Sequence, residues 1–308
     1  MELPDQHTGI LLLAFGGPNS LEDVEPFLKN IFSDRPLDPL VVNQVKERYQ
    51  LIGGKSPLLE ITQRQARLLQ HGLKKIGRSL EVYIGMRYWQ PSIPEAINAM
   101  HANGIKKVLC IILSPFATGA TMEGYRTAVY QTIKESHLTI EADFVLPWNM
   151  HTGYLDAAAD KIKEGLTMFS ADIRSSVPIV FSVHSLPLEH VSNDPYLSEI
   201  KKTIAGVITR LGNNECYLAF QSQGKERRWL APSVEEVIKE VAASRKKDVL
   251  VVPLGFVSDH LETIYDLDIV LSGKALGLGL NFKRAPSLND SPRFIEALTE
   301  VILKSLSN

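Results

Sequence analysis

Short runs of β-branched and aliphatic residues recur along this chain between longer amphipathic stretches. That is the pattern of parallel strands buried on both faces and joined by crossover helices, so the predicted class is α/β. Candidate strands are Ile10 to Phe15, Glu81 to Gly85, Lys107 to Leu113 and Ile140 to Leu146, then Pro178 to Val183, Glu215 to Phe220, Asp248 to Leu254 and Leu280 to Ala285, four followed by four more. Helix starts are marked by Ser92-Ile93-Pro94-Glu95 and Ser233-Val234-Glu235-Glu236, both of capping-box form, and Gly104 and Gly212 stand where helices should stop. Ile200, Ile204, Val207, Ile208 and Leu211 make one apolar stripe between Tyr196 and Leu211, and Phe294, Leu298, Val301 and Ile302 make another. Both read as core.

The two halves read as one plan used twice. Val108-Leu109-Cys110-Ile111-Ile112-Leu113 followed by Ser114-Pro115 parallels Val249-Leu250-Val251-Val252-Pro253-Leu254 followed by Gly255-Phe256. A boundary near Trp148 to Gly153 follows, giving predicted lobes over residues 1–150 and 151–289.

Composition narrows the function classes. The chain has 308 residues, 44% hydrophobic, with 33 basic side chains against 35 acidic ones. Nucleic-acid binding domains usually carry a clustered basic excess, so no nucleic-acid partner is expected, and Arg245-Lys246-Lys247 and Arg227-Arg228 read as solvated surface charge. Two cysteines, Cys110 and Cys216, are too few for a disulfide framework or a cysteine-only zinc site. No apolar run approaches the roughly 20 residues that span a bilayer. Met1 to His7 lacks a basic stretch followed by an apolar signal core, so a reducing, cytoplasmic setting is expected.

The common nucleotide motifs fail. Gly53-Gly54-Lys55-Ser56 resembles the end of a P-loop, but Tyr49 stands where its first glycine is needed and no strand precedes it. Ser56 is better read as the cap of a helix beginning at Pro57, with Gly53-Gly54 as the turn before it. Gly16-Gly17-Pro18 is not GxGxxG, because proline removes a backbone donor where a pyrophosphate would sit.

In open parallel sheets ligands bind beyond the carboxyl ends of the strands, so the segments after each apolar run carry the chemical signal. Ser182-Val183-His184-Ser185-Leu186-Pro187 puts a histidine at one strand exit. Gln221-Ser222-Gln223-Gly224 follows the next, and Ser258-Asp259-His260-Leu261-Glu262-Thr263-Ile264-Tyr265-Asp266-Leu267-Asp268 opens a helix after the third. Glu262 and Asp266, four apart, would share a helix face. Taken singly, a histidine at a strand end is more often structural, and acids in a first helical turn often only complement the dipole. Taken together, an imidazole and a carboxylate from two strand ends of one sheet make a metal or acid–base constellation. The residues alone support a small-molecule site with a His and a Glu.

At these residues the sequence resembles the ferrochelatases, which insert ferrous iron into porphyrin. The resemblance runs through Leu13-Ala14-Phe15-Gly16-Gly17-Pro18, Arg48-Tyr49-Gln50-Leu51-Ile52-Gly53-Gly54-Lys55-Ser56-Pro57-Leu58 and Gly85-Met86-Arg87-Tyr88-Trp89-Gln90-Pro91. It continues through Ser182 to Pro187, Phe220 to Gly224, and Pro253 to Tyr265, in order over nearly the whole chain. It implies two similar Rossmann-like lobes, each a four-stranded parallel sheet flanked by helices, with the porphyrin between them and a C-terminal helix, 290–308, packing back on the first lobe. It implies that His184 and Glu262 are the catalytic and metal-site residues, that Asp266 relays metal or protons, and that Phe15, Arg48, Tyr49, Ser56 and Tyr125 line the porphyrin side. An apolar cleft that holds the ring would have Leu58, Ile61, Trp89 and Phe116 as candidate walls, although taken singly each reads as core.

Two positions depart from the family pattern. Phe15 stands where some bacterial members have a tyrosine, so an axial oxygen is lost there. Val270 replaces a further carboxylate. His260 precedes Leu261 and Glu262 as in the family, and a structural role is open to it as well as a chemical one. The chain ends at Asn308 without a cysteine-bearing extension, so no iron–sulfur cluster is expected. Ferrous iron is a substrate, no tightly bound cofactor is implied, and a monomer suffices. Protoporphyrin IX is the first choice of porphyrin and coproporphyrin III the alternative. A cobalt- or iron-loading chelatase acting on sirohydrochlorin-type tetrapyrroles and a porphyrin carrier without chemistry are the other readings.

Overall fold

The computed structural model describes residues 7–33, 35–116, 119–191, 193–224 and 228–307, apart from the side chains of residues 120 and 121. All eight expected strands are present, as β1 (Thr8–Ala14), β2 (Glu81–Met86), β3 (Lys107–Ile112), β4 (Glu141–Phe144), β5 (Ile179–His184), β6 (Cys216–Gln221), β7 (Asp248–Val252) and β8 (Asn281–Arg284). They form two four-stranded parallel sheets, ordered β2-β1-β3-β4 and β6-β5-β7-β8. The chain divides into two compact units, one of residues 1–148 with 289–308 and the other of residues 149–288.

Burial explains which strands the pattern marks best. Ile10 to Leu13 and Ile179 to Val180 are fully buried, as are Val249 to Val251, because the central strands are covered by helices on both faces. Strand ends fall short of expectation for local reasons. β7 stops at Val252 because Pro253 has no N–H to continue the ladder. β1 stops at Ala14 because Gly16, at φ 96°, turns the chain away. β4 is an edge strand that ends at Phe144, and Leu146 beyond it is exposed.

Both capping boxes form. Ser92 Oγ accepts from Glu95 N and Ser233 Oγ from Glu236 N, with each glutamate returning to the serine N–H at 2.7 Å. Gly104, at φ 77°, closes a Schellman motif in which its N–H donates to the His101 carbonyl and the Ile105 N–H to that of Met100. Gly212 is a correction: the helix Tyr196–Ile208 ends before it, through Thr209, and Gly212 is not left-handed. Ser56 is another. The helix runs Leu58–Lys75 with Pro57 as its N-cap, and Ser56 Oγ accepts from Leu58 N from one position further out. Gly53 and Gly54 do supply the left-handed turn, at φ 100° and 85°. Arg228 is exposed and Lys246 pairs with Glu215 at 3.4 Å, while Arg227 and residues 1–6 lie outside the described residues.

The repeat is more exact in structure than in sequence. Each unit has its strands in the same spatial order, and β3 and β7, whose sequences run parallel, occupy equivalent places. In each, the second strand is extended by a single parallel bridge to the capping serine, Met86 to Ser92 and Phe220 to Ser233. Met86 N–H donates to the Pro91 carbonyl and Phe220 N–H to that of Pro232. The C-terminal helix Pro292–Leu306 packs on the helix Leu58–Lys75 of the first unit, where Arg64 Nε meets Asp290 Oδ2 at 2.8 Å and Gln65 Nε2 donates to the Asn289 carbonyl at 2.7 Å. Phe294, Leu298 and Ile302 are fully buried there.

Removing one cap, by Ser92→Ala or Ser233→Ala, is expected to cost about 1 kcal/mol. A lowered urea midpoint at unchanged m-value checks it.

Candidate active site

In the second unit strand order reverses between β5 and β7, whose following connections lead to strands on opposite sides. Such a switch point opens a crevice at the carboxyl ends of the two strands. β5 is wholly buried from Ile179 to Val183 and becomes half-exposed only at its last residue, His184. The chain leaving β7 passes tightly over that exit. A Cβ on Gly255 would lie 3.3 Å from both the His184 backbone nitrogen and Val183 Cα, so the glycine permits the crossing.

Beyond Gly255, the segment from Ser258 enters a helix through side-chain caps. His260 N–H donates to Thr263 Oγ1 at 3.0 Å, and Thr263 Oγ1 donates to Asp259 Oδ1 at 3.2 Å. The expected α-helix is instead a π-helix, Glu262–Leu271, with i→i+5 hydrogen bonds. Its wider turn brings residues four apart, such as Glu262 and Asp266, closer to alignment along the axis than an α-helix would. No sequence periodicity announced it.

The expected imidazole and carboxylate meet. His184 Nδ1 is 3.1 Å from Glu262 Oε2, and the Ser222 hydroxyl donates to the same oxygen. Gln221 Nε2 donates to the Glu262 carbonyl at 3.4 Å, and the Tyr196 hydroxyl donates to the His184 carbonyl at 2.8 Å. The side chains of His184 and Glu262 remain 40% and 30% exposed, open enough to meet a ligand. His260 is more enclosed. Its Nδ1 donates to the Ser258 carbonyl at 3.1 Å, its ring packs on Phe256 with centroids 4.4 Å apart, and its Nε2 is 3.9 Å from Glu262 Oε1.

These contacts set the protonation states. Burial opposes charge on His184, but the hydrogen bond and charge of Glu262, helped by Asp266, outweigh it and hold the imidazole above its ordinary 6.5. Burial likewise works against ionised Glu262, yet His184, His260 and Ser222 bring it down to about 2. Burial dominates at His260 and lowers its pKa. Since the carboxylate accepts from Nδ1–H, neutral His184 keeps its lone pair on Nε2.

The remaining predicted residues belong to the first unit. Phe15 follows β1 at that sheet's own switch point, 47% exposed, with its ring 4.7 Å from that of Tyr88. Arg48 is exposed on the helix Pro39–Leu51. Tyr49 and Ser56 are buried, and Ser56 packs so closely that a Cβ on Gly17 would fall 2.6 Å from its Cβ and Oγ. Tyr125 is buried in the apolar cluster behind β1 and β3, its ring 5.4 Å beneath the Arg87 guanidinium, and burial pushes its phenol pKa up. Of the expected walls, Ile61 and Phe116 are buried and Leu58 and Trp89 half-buried. Ser222 and Tyr196 were not singled out from sequence. Ser222 lay within a polar strand exit, whereas Tyr196, twelve residues beyond His184, carried no signal. Among the described residues no group of three or more His, Cys, Asp and Glu side chains is arranged to hold a metal ion, and no helix is long and apolar enough to cross a membrane.

The ferrochelatase family model matches residues 7–306. The chain belongs to the ferrochelatase family. It is 40% identical to the ferrochelatase of Geotalea uraniireducens, with 98% of this chain and 99% of that protein covered, and 37% identical to that of Herpetosiphon aurantiacus, with 96% and 98% covered. This member of the family is therefore an enzyme that inserts metal into porphyrin in haem synthesis. Among solved structures it is similar to the sirohydrochlorin chelatase SirB from Bacillus subtilis, at TM-score 0.59 and 13% identity with 98% of this chain and 96% of that one covered. It is also similar to CbiX, at TM-score 0.55 and 12% identity with 96% and 99% covered. Those likenesses show the chelatase fold alone. The sirohydrochlorin and inert-carrier readings give way to the family's.

Histidine NMR should find the His184 pKa above 6.5 and that of His260 below it, with Glu262→Gln moving His184 down. The stabilisation from a raised His184 is complete below pH 6.5 and is lost as pH rises through its folded value. That from Glu262 holds above 4.5 and is lost as pH falls toward about 2. Denaturant titrations across both windows check these signs.

Proposed function

We propose that this chain inserts ferrous iron into protoporphyrin IX, forming protohaem, with His184 as the base and Glu262 as its charged partner. The observation that carries the reading is the 3.1 Å contact between His184 Nδ1 and Glu262 Oε2 at the switch point of the second sheet. Insertion strips water from the cation and removes two N–H protons from the ring. A neutral His184 with its acceptor on Nε2 suits proton removal, and the fixed negative charge of Glu262 stabilises the imidazolium that results. Glu262 also attracts the incoming cation, and Asp266, one turn on, relays metal or protons. A site with few protein ligands lets the metal leave into the ring rather than hold it.

Phe15, Arg48, Tyr49, Ser56 and Tyr125 are proposed to serve the porphyrin. Phe15 supports protoporphyrin IX, since the exposed phenyl ring offers apolar surface and no oxygen for the metal. The buried Tyr49, Ser56 and Tyr125 would act mainly by shaping the surface around Gly17 and Arg87. We further propose that iron and porphyrin are the only ligands required, with no resident cofactor or iron–sulfur cluster, and that the enzyme works as a monomer in the cytoplasm. Only two cysteines are present, whereas the usual iron–sulfur clusters take four.

An anaerobic assay offering ferrous iron with each porphyrin separately, followed by loss of free-porphyrin fluorescence, tests the substrate. Faster turnover of coproporphyrin III would replace protoporphyrin IX. His184→Ala should lower insertion by about 100-fold or more while leaving porphyrin affinity within a few-fold. Undiminished turnover would remove the base. Glu262→Gln should lower activity strongly and alter the iron dependence, and an unchanged iron dependence would count against a metal role.

A further inference from the structure

Four carboxylates lie close together in the segment after β7, namely Asp259, Glu262, Asp266 and Asp268. Two of them are engaged by a single cation from another strand. Arg284, the last residue of β8, sets Nε 2.6 Å from Asp268 Oδ1 and Nη2 2.8 Å from Asp268 Oδ2, a bidentate fork. Its Nη1 lies 3.0 Å from Asp259 Oδ1, which also accepts from the Ser287 hydroxyl at 2.6 Å. The Arg284 side chain is only 13% exposed.

Asp259 precedes Glu262 by three residues and Asp268 follows it by six. One planar group anchored in the sheet therefore grips the segment on both sides of the proposed catalytic acid. Asp268 lies within the π-helix and Asp259 just before it, so the guanidinium ties the helix to the segment that leads into it. We infer that Arg284 is a positioning residue for metal insertion, clamping Asp259 and Asp268 so that the helix presents the Glu262 carboxylate to His184. The clamp also divides the acids. Asp259 and Asp268 are committed to Arg284, while Glu262 and Asp266 are the carboxylates whose charge acts on His184.

The inference rests on the proposed role of Glu262, and the experiment separates the two. Arg284→Lys keeps the charge but loses the fork, and Asp268→Asn breaks the fork from the more exposed side. Each should melt as a folded protein and lose about tenfold or more in kcat for anaerobic ferrous-iron insertion, with KM for porphyrin within twofold of the parent. Because both act through one clamp, the double variant should lose no more than about twice what either single variant loses. Amide exchange should quicken in residues 259–268 but not in β5. If Arg284→Lys fails to fold, Asp268→Asn carries the same kcat and exchange readouts. Wild-type kcat in the folded variants, losses that multiply in the double variant, or a loss confined to porphyrin KM would overturn the clamp. Wild-type activity in Glu262→Gln would instead overturn the role of Glu262 on which it rests.

Discussion

A half-buried imidazole beside a half-buried carboxylate is the constraint around which the second unit is arranged. Desolvation works against both charges, and each is kept by the other. The contact needs two chain segments, leaving different strands, to be held to within a fraction of an ångström. β5 supplies one, with Tyr196 fixing the carbonyl of His184, and the helix after β7 supplies the other, with Gln221 and Ser222 fixing Glu262. A strand buried on both faces has little freedom to move, so the precision of the pair is borrowed from the packing of the sheet.

The central strands β1, β3, β5 and β7 were the most legible because burial on both faces requires continuous apolar runs, a pattern few other elements produce. Their ends were less legible. Pro253 and the left-handed Gly16 stop strands whose apolar composition would otherwise continue. Caps stated as two-residue reciprocal patterns, Ser92 with Glu95 and Ser233 with Glu236, read correctly because both partners are local. Gly212 did not, since a glycine marks a helix end only where the helix reaches it. The π-helix was invisible because the residues from Glu262 to Leu271 carry no periodicity that separates i→i+5 from i→i+4 winding.

The site followed the same division. His184 and Glu262 stood out because one closes a strand and the other lies in the segment leaving a neighbouring strand, and a parallel sheet converts that placement into proximity. Whole-chain resemblance supplied the identity of the chemistry, which spacing alone left as a small-molecule site. Arg284, Tyr196 and Ser222 act through contacts between elements that no single window of sequence contains. In the first unit, resemblance singled out Tyr49, Ser56 and Tyr125 by type, but it carried no information about their depth, and all three are buried.

The unit carrying His184 and Glu262 is one uninterrupted segment, whereas the other unit recovers the helix Pro292–Leu306 from the far end of the chain. Trp148 and Phe294, whose rings lie 6.0 Å apart, belong to the same core although nearly half the polypeptide separates them. During synthesis the segment 149–288 is therefore made before that core can close. The face of the first unit that receives the helix Pro292–Leu306 stays uncovered until that helix has been made.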